Sequence, residues 1–160
     1  MTGGKPSTLV VCIGNDLVAD DAIGYDIYEA LRTLRLPGHV RLEYAAVCGL
    51  SLLDLFTGDE ERLIVVDAVE FGADPGTVHC LAWDEIPRFS RSSISVHDVG
   101  LKEAIDIGRA LYPETMPPSI HLVGIEGRCF NQMREFMTPA TAAALEPAVE
   151  RILDMIGQHP

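Results

Sequence analysis

At 160 residues the chain is long enough for one sizeable core, and a single domain is expected over 1–160 with its core over about 8–157. Its hydrophobic content of 48% excludes a disordered chain, and no apolar run approaches the roughly 18 residues of a membrane helix. The net charge of −12, with Lys5 and Lys102 as the two lysines, opposes nucleic-acid binding but would suit a basic partner or a cation.

The opening "MTGGKPS" leads straight into an apolar run, without the hydrophobic region of a secretory signal. A soluble cytoplasmic protein with reduced cysteines is therefore expected. Cys12, Cys48, Cys80 and Cys129 form no C-x-x-C pair. Cys12 and Cys80 lie in strand-like runs and read as small core residues, whereas Cys48 and Cys129 fall in loops.

In chain order, "TLVVCI" (8–13) is the near-continuous apolar run of a strand covered on both faces. "GNDLVADDAIG" (14–24) follows it and carries Asp16, Asp20 and Asp21. Ile23, Ile27, Ala30, Leu31 and Leu34 then recur at helical spacing until "LPG" ends the helix. "VRLEYAAV" (40–47) predicts a less central strand, "GLSLLDLF" (49–56) a short helix and "RLIVVDA" (62–68) a second buried strand. "GTVHCLAW" (76–83) is another outer strand. From His97, the positions Leu101, Ala104, Ile105, Gly108 and Leu111 predict a helix closed by Pro113, and "IHLVGIE" (120–126) is the third buried strand. Thr138 and Pro139 read as N-cap and first helical residue. Pro147 breaks or restarts that helix, and Val149, Ile152, Leu153 and Ile156 continue its apolar stripe. Strands alternating with helices predict an α/β fold, a mainly parallel sheet of about five strands with helices on both faces.

In such sheets ligands bind beyond the carboxyl ends of the strands. Asp20 and Asp21 follow the first strand, Asp67 ends the central one, and "SVHDVG" sets His97 and Asp98 at the start of a helix. Two carboxylates and an imidazole with an open position would suit nickel, zinc or iron. The same groups could hold a water beside a carbonyl, with a carboxylate as general base. Each residue also has a plainer role open to it. Asp20 or Asp21 can cap the following helix, Asp67 can serve a turn, Asp98 can complement a helix dipole, and His97 can cap or pack. His79 and His121 lie inside strands and read as hydrogen-bonded structural residues, with His39 and His159 on the surface. No phosphate-binding glycine loop, G-x-S-x-G elbow or H-E-x-x-H occurs, so water is the better candidate nucleophile for a hydrolase.

Taken together, these segments resemble the [NiFe]-hydrogenase maturation endopeptidases from Leu9 to Ile156. "GNDLVADDAIG" is similar to the family's Gly-Asn pair followed by an acidic pair and glycine, "IVVDAV" to its central strand, and "SVHDVGL" to its Ser-x-His-x-x-Gly-Leu segment. "LVGIEG" also matches. The resemblance implies a three-layer α/β/α sandwich and an aspartic or metal-assisted peptidase. Such an enzyme removes a C-terminal extension from the hydrogenase large-subunit precursor after nickel insertion. Carried over by position, the metal-contacting and catalytic residues fall on Asp21, Asp67 and His97, with the nickel supplied by the precursor and zinc or cadmium able to take the same site. Asp20 then shapes or caps the helix start, Asp16 is unassigned, and the general base is left open between Asp21 and Asp67. A monomer is expected, with no nucleic-acid or membrane partner.

One segment departs from the family. Tyr44, Ala45, Ala46 and Val47 stand where it usually shows Asp-Gly-Gly-Thr, while Gly49 and Leu50 fit. That departure keeps open a non-cleaving, nickel-sensing chaperone or checkpoint protein. A magnesium-binding receiver domain is a weaker alternative, because "GIEGR" offers no lysine after the last strand. Phe56, Phe130, Met133, Phe136 and Met137 are candidates either for the core or for a precursor-facing surface, part of which "CFNQMREFM" (129–137) would line.

Overall fold

The computed structural model describes residues 7–46, 49–87 and 96–157, with the side chains of 96–99 outside that description. Five strands, β1 (Thr8–Ile13), β2 (Val40–Ala45), β3 (Arg62–Val69), β4 (Val78–Ala82) and β5 (Ser119–Glu126), form one sheet in the order β2-β1-β3-β5-β4. Pairs β1–β2, β1–β3 and β3–β5 are parallel, and β4 joins β5 antiparallel at the outer edge. Four α-helices lie among the described residues, α1 (Ile23–Arg32), α2 (Val96–Leu111), α3 (Pro139–Ala143) and α4 (Leu145–Met155), with short 3-10 helices between the elements.

The apolar runs are near-continuous because both faces of the central strands are covered. Leu9, Val11, Ile13, Leu63 and Val65 point to one face with Ile120 and Leu122 of β5, under Leu52, Trp83, and Leu101 and Ile105 of α2. Val10, Cys12, Ile64, Val66, Val123 and Ile125 point to the other, under Ile23, Ile27 and Leu31 of α1 and Ala148 and Ile152 of α4. The strict alternation along β1 and β3 produces three layers, α/β/α, and each fully buried Leu or Ile contributes about 1.5–3 kcal/mol.

Several expectations shift. The segment 49–56 forms a 3-10 helix over Leu50–Leu55 rather than an α-helix. Leu34 lies beyond α1 and is exposed. Cys80 is exposed rather than core, because β4 is an edge strand whose centre the helix layer does not cover. The C-terminal break falls at Ala144, between α3 and α4, and not at Pro147. Pro147 lacks an N–H and crowds the carbonyl four residues earlier, Ala143, so the helix restarts with the proline in its first turn, where no donor is missed. Phe56 is buried in the core, whereas Met133 and Phe136 are exposed. Among the described residues no helix is long and apolar enough to cross a membrane.

Candidate functional site

The central strands β1, β3 and β5 are parallel, so their carboxyl ends share one edge of the sheet. Beyond β1 the chain turns back on itself within a few residues. A Cβ on Gly14 would meet the Asp21 carbonyl oxygen at 2.3 Å, and one on Gly24 would meet that of Ile13 at 1.9 Å. Only glycine permits this approach, which accounts physically for the two glycines that bound "GNDLVADDAIG". Inside the turn, the Asn15 side-chain oxygen accepts from the Leu17 N–H at 3.0 Å, an Asx turn. The Asn15 N–H in turn donates to Asp21 Oδ2 at 3.0 Å.

Asp20, Asp21 and Ala22 form a short buried 3-10 helix in front of α1. Asp20 is fully buried, and it does not cap the helix as the sequence suggests: no side-chain cap bond is made there. Its carboxylate accepts instead from the backbone N–H groups of Arg128 (2.6 Å), Cys129 (2.9 Å) and Thr138 (2.6 Å), and from the Thr138 hydroxyl (2.7 Å). That spends the Thr138 side chain, which makes no cap bond to α3. Residues 17–20 pair with 129–134 alongside, through Ala19 N–H to Gln132 O at 3.0 Å and Arg134 N–H to Leu17 O at 3.0 Å. A Cβ on Gly127 would lie 2.8 Å from that of Asp20, so this loop also needs glycine where it closes on the acid.

Asp21 and Asp67 are 5% and 1% exposed, and the Asp67 Oδ1 accepts from the Ala68 N–H at 2.9 Å. Cys12, the second-last residue of β1, feels Asp67: burial pushes its thiol pKa up strongly and the carboxylate adds to that. The structure thus brings Asp21 and Asp67 to the carboxyl ends of two adjacent strands. His97 lies in the first turn of α2. The chain enters β5 from the amino edge soon after α2, which directs the first turn of α2 toward the carboxyl edge. The side chains of His97 and Asp98 lie outside the described residues. Among the described residues no three His, Cys, Asp or Glu side chains gather in a way that could hold a metal ion.

Two acids at this edge carry roles that sequence reasoning missed. Glu126, at the end of β5 and 1% exposed, accepts from the N–H groups of Phe71 (2.7 Å) and Ala73 (2.6 Å) and so holds the loop after β3. A charged residue closing an apolar buried strand was the available signal, because such a group requires partners. Glu70, in that loop, has its pKa raised by burial first, then by the negative charges of Glu126 and Asp20. Of the histidines, His79 lies 3.7 Å from Glu126 and packs edge-on against Phe71, while His121 Nδ1 is 3.4 Å from the Ser119 hydroxyl.

Tyr44 borders the Gly14–Asp21 turn from β2. Its hydroxyl donates to the Gly14 carbonyl at 2.6 Å, and its ring meets Tyr25 and Tyr28 of α1 at centroid distances of 5.3 and 5.4 Å. Burial raises the Tyr44 pKa, with Asp16, Tyr25 and Asp21 adding and the Asp16 backbone opposing.

Comparison with known proteins gives a consistent picture. Residues 26–155 match the profile of the family described as hydrogenase maturation protease (HycI), a match that starts five residues after Asp21. The chain is 31% identical over 161 residues to the hydrogenase expression/formation protein HupM of Azotobacter chroococcum, covering 99% of this chain and 76% of that protein. It is 32% identical over 147 residues to the hydrogenase 2 maturation protease of Escherichia coli, covering 91% and 87%. Its fold is similar to that of the solved hydrogenase maturating endopeptidase HybD from E. coli, with a TM-score of 0.80 and 32% identity over 93% of this chain and 91% of that one.

Proposed function

The chain belongs to the hydrogenase maturation protease family, and on that premise we propose that it removes a C-terminal extension from a [NiFe]-hydrogenase large-subunit precursor once nickel has been inserted. The observation that carries this reading is the placement of Asp21 and Asp67, two nearly buried carboxylates, at the carboxyl ends of adjacent parallel strands. Carboxylates gathered there repel one another, and a divalent ion relieves that repulsion. Nickel belongs to the substrate in this scheme. A loaded precursor brings the charge that offsets Asp21 and Asp67, with His97 as the third donor, and an unloaded one does not.

Anchored in this way, the precursor tail would lie along the carboxyl edge. A water held beside the scissile carbonyl would be the nucleophile, with Asp21 or Asp67 taking its proton. Zinc or cadmium would compete for the same donors. The protein would act in the cytoplasm, as a monomer, on a protein partner.

The test is a processing assay on nickel-loaded and nickel-free precursor, read as shortening on a gel. Wild type should shorten the loaded form alone, and Asp21→Asn, Asp67→Asn and His97→Ala should each slow shortening by at least about a hundredfold. Nickel-dependent complex formation without shortening would replace the peptidase with a checkpoint protein. Equal cleavage of both precursors would remove nickel from the scheme.

A further inference from the structure

The turn that carries Asp21 is held from a direction that its own sequence does not reveal. The Gly14 carbonyl and the Asn15 N–H belong to one planar peptide group, and they point to opposite sides of it. The carbonyl accepts from the Tyr44 hydroxyl at 2.6 Å, and the N–H donates to Asp21 Oδ2 at 3.0 Å. Tyr44, this peptide and the Asp21 carboxylate therefore form one hydrogen-bonded chain. A donor at the carbonyl strengthens the N–H at the far end, and two anchored ends stop the peptide from rotating. The phenol has little freedom to leave. Its ring is wedged between Tyr25 and Tyr28, and β2 is locked to β1 with Tyr44 opposite Cys12 and the Gly14 N–H donating to the Ala45 carbonyl at 3.2 Å.

We infer that Tyr44 is a positioning residue for Asp21: through the Gly14–Asn15 peptide, its hydroxyl fixes the direction in which the Asp21 carboxylate faces the substrate. This rests on the reading of Asp21 as a substrate-engaging acid. It also gives a role to a position where the chain departs from its family's usual Asp-Gly-Gly-Thr. The turn is oriented here by a neutral hydroxyl from β2, without adding a further charge to an edge already rich in acids. Support for substrate-contacting groups from behind is worth about ten- to a hundredfold in activity where it has been removed in other proteins.

The test uses Tyr44→Phe in the full chain, which keeps the ring and its two aromatic contacts and deletes only the donor. The first readout needs no substrate: amide hydrogen exchange of Asn15 by 1H–15N NMR, with Val10 and Val65 as sheet references and Asp21→Ala showing the signal once the acceptor is lost. The Asn15 amide should exchange about tenfold faster in Tyr44→Phe, with the sheet amides unchanged. The second readout is steady-state processing of nickel-loaded precursor. A fall of about tenfold in kcat per folded enzyme with KM within about twofold is expected, as misorientation of a reacting group produces, and the unchanged sheet amides exclude a general loss of folded protein as its cause. An unchanged Asn15 amide overturns the inference, and so does a changed amide with unchanged kcat. Should wild type fail to process the precursor, the functional reading falls, and the Asn15 amide alone decides whether Tyr44 holds the Asp21 turn.

Discussion

Buried carboxylates are held differently at the two edges of the sheet. At the amino edge, Glu60 is 5% exposed and accepts from Arg41 at 3.0 Å, as well as from the Thr57 N–H at 3.1 Å and the Thr57 hydroxyl at 2.9 Å. At the carboxyl edge, Asp20 and Glu126 are equally buried, but their donors there are backbone N–H groups and one hydroxyl. Neutral donors satisfy the lone pairs without cancelling the charge. Glu60 is therefore a closed structural ion pair, whereas Asp20 and Glu126 take their hydrogen bonds, among the described residues, from neutral donors. The Glu70 pKa is raised by burial first, with the charges of Glu126 and Asp20 adding to it. One fold thus holds a buried acid through a guanidinium at one end and through neutral donors at the other.

The largest effect should come from removing the fully buried acid of the carboxyl edge. Asp20→Ala leaves four donors without their acceptor, and a loss of about 3–5 kcal/mol is expected in urea unfolding. A loss under about 1 kcal/mol would show that Asp20 does not hold residues 128–138 in place. Next comes Arg41→Met, which strands the Glu60 charge. A cost of about 2 kcal/mol is expected, less than for a fully buried pair because the Arg41 side chain is 27% exposed. Adding Glu60→Gln should recover part of it, and a double-mutant cycle reads the coupling.

A smaller effect probes the charges around Glu70. Glu126→Gln should bring the Glu70 pKa down toward the ordinary carboxylate range, followed by 13C NMR titration, because one of the charges raising it is gone. The smallest is Glu70→Gln. A carboxyl whose folded pKa is raised favours folding below its unfolded pKa, and that contribution is lost as pH rises through the folded value. The substitution should therefore stabilise the protein by less than about 1 kcal/mol at neutral pH, Glu70 being only partly buried, and by nothing measurable below the ordinary carboxylate range.

What could be read beforehand follows from the range of the forces involved. β1 was legible to the residue and β3 to within one, because burial on both faces writes a continuous apolar run into the strand itself. Asp21 and Asp67 were legible as acids at strand ends for the same local reason. The strand around Cys80 was legible as an outer one, but Cys80 was not legible as exposed, since a small apolar residue in such a strand can face the helix layer or solvent depending on what packs over it. Nor was the role of Asp20. Sequence offers a helix cap a few residues away, whereas the actual donors come from a distant loop whose position depends on the whole sheet. Tyr44 read as a departure from a pattern, and its partner became visible only once β2 lay beside β1.

The separation between Asp20 and its donors, 108 to 118 positions along the chain, also sets an order of assembly. Contacts that distant are the last to repay their loop-closure entropy. While the chain is being synthesised, β1, β3 and the acid-bearing turn exist well before residues 128–138 have been made. Until those residues arrive, water must solvate Asp20, and the turn beside it has nothing to close against. A nascent or truncated chain ending before residue 128 thus carries Asp21 and Asp67 but lacks the donors that hold Asp20 beside them, and the turn after β1 is finished by the last fifth of the chain.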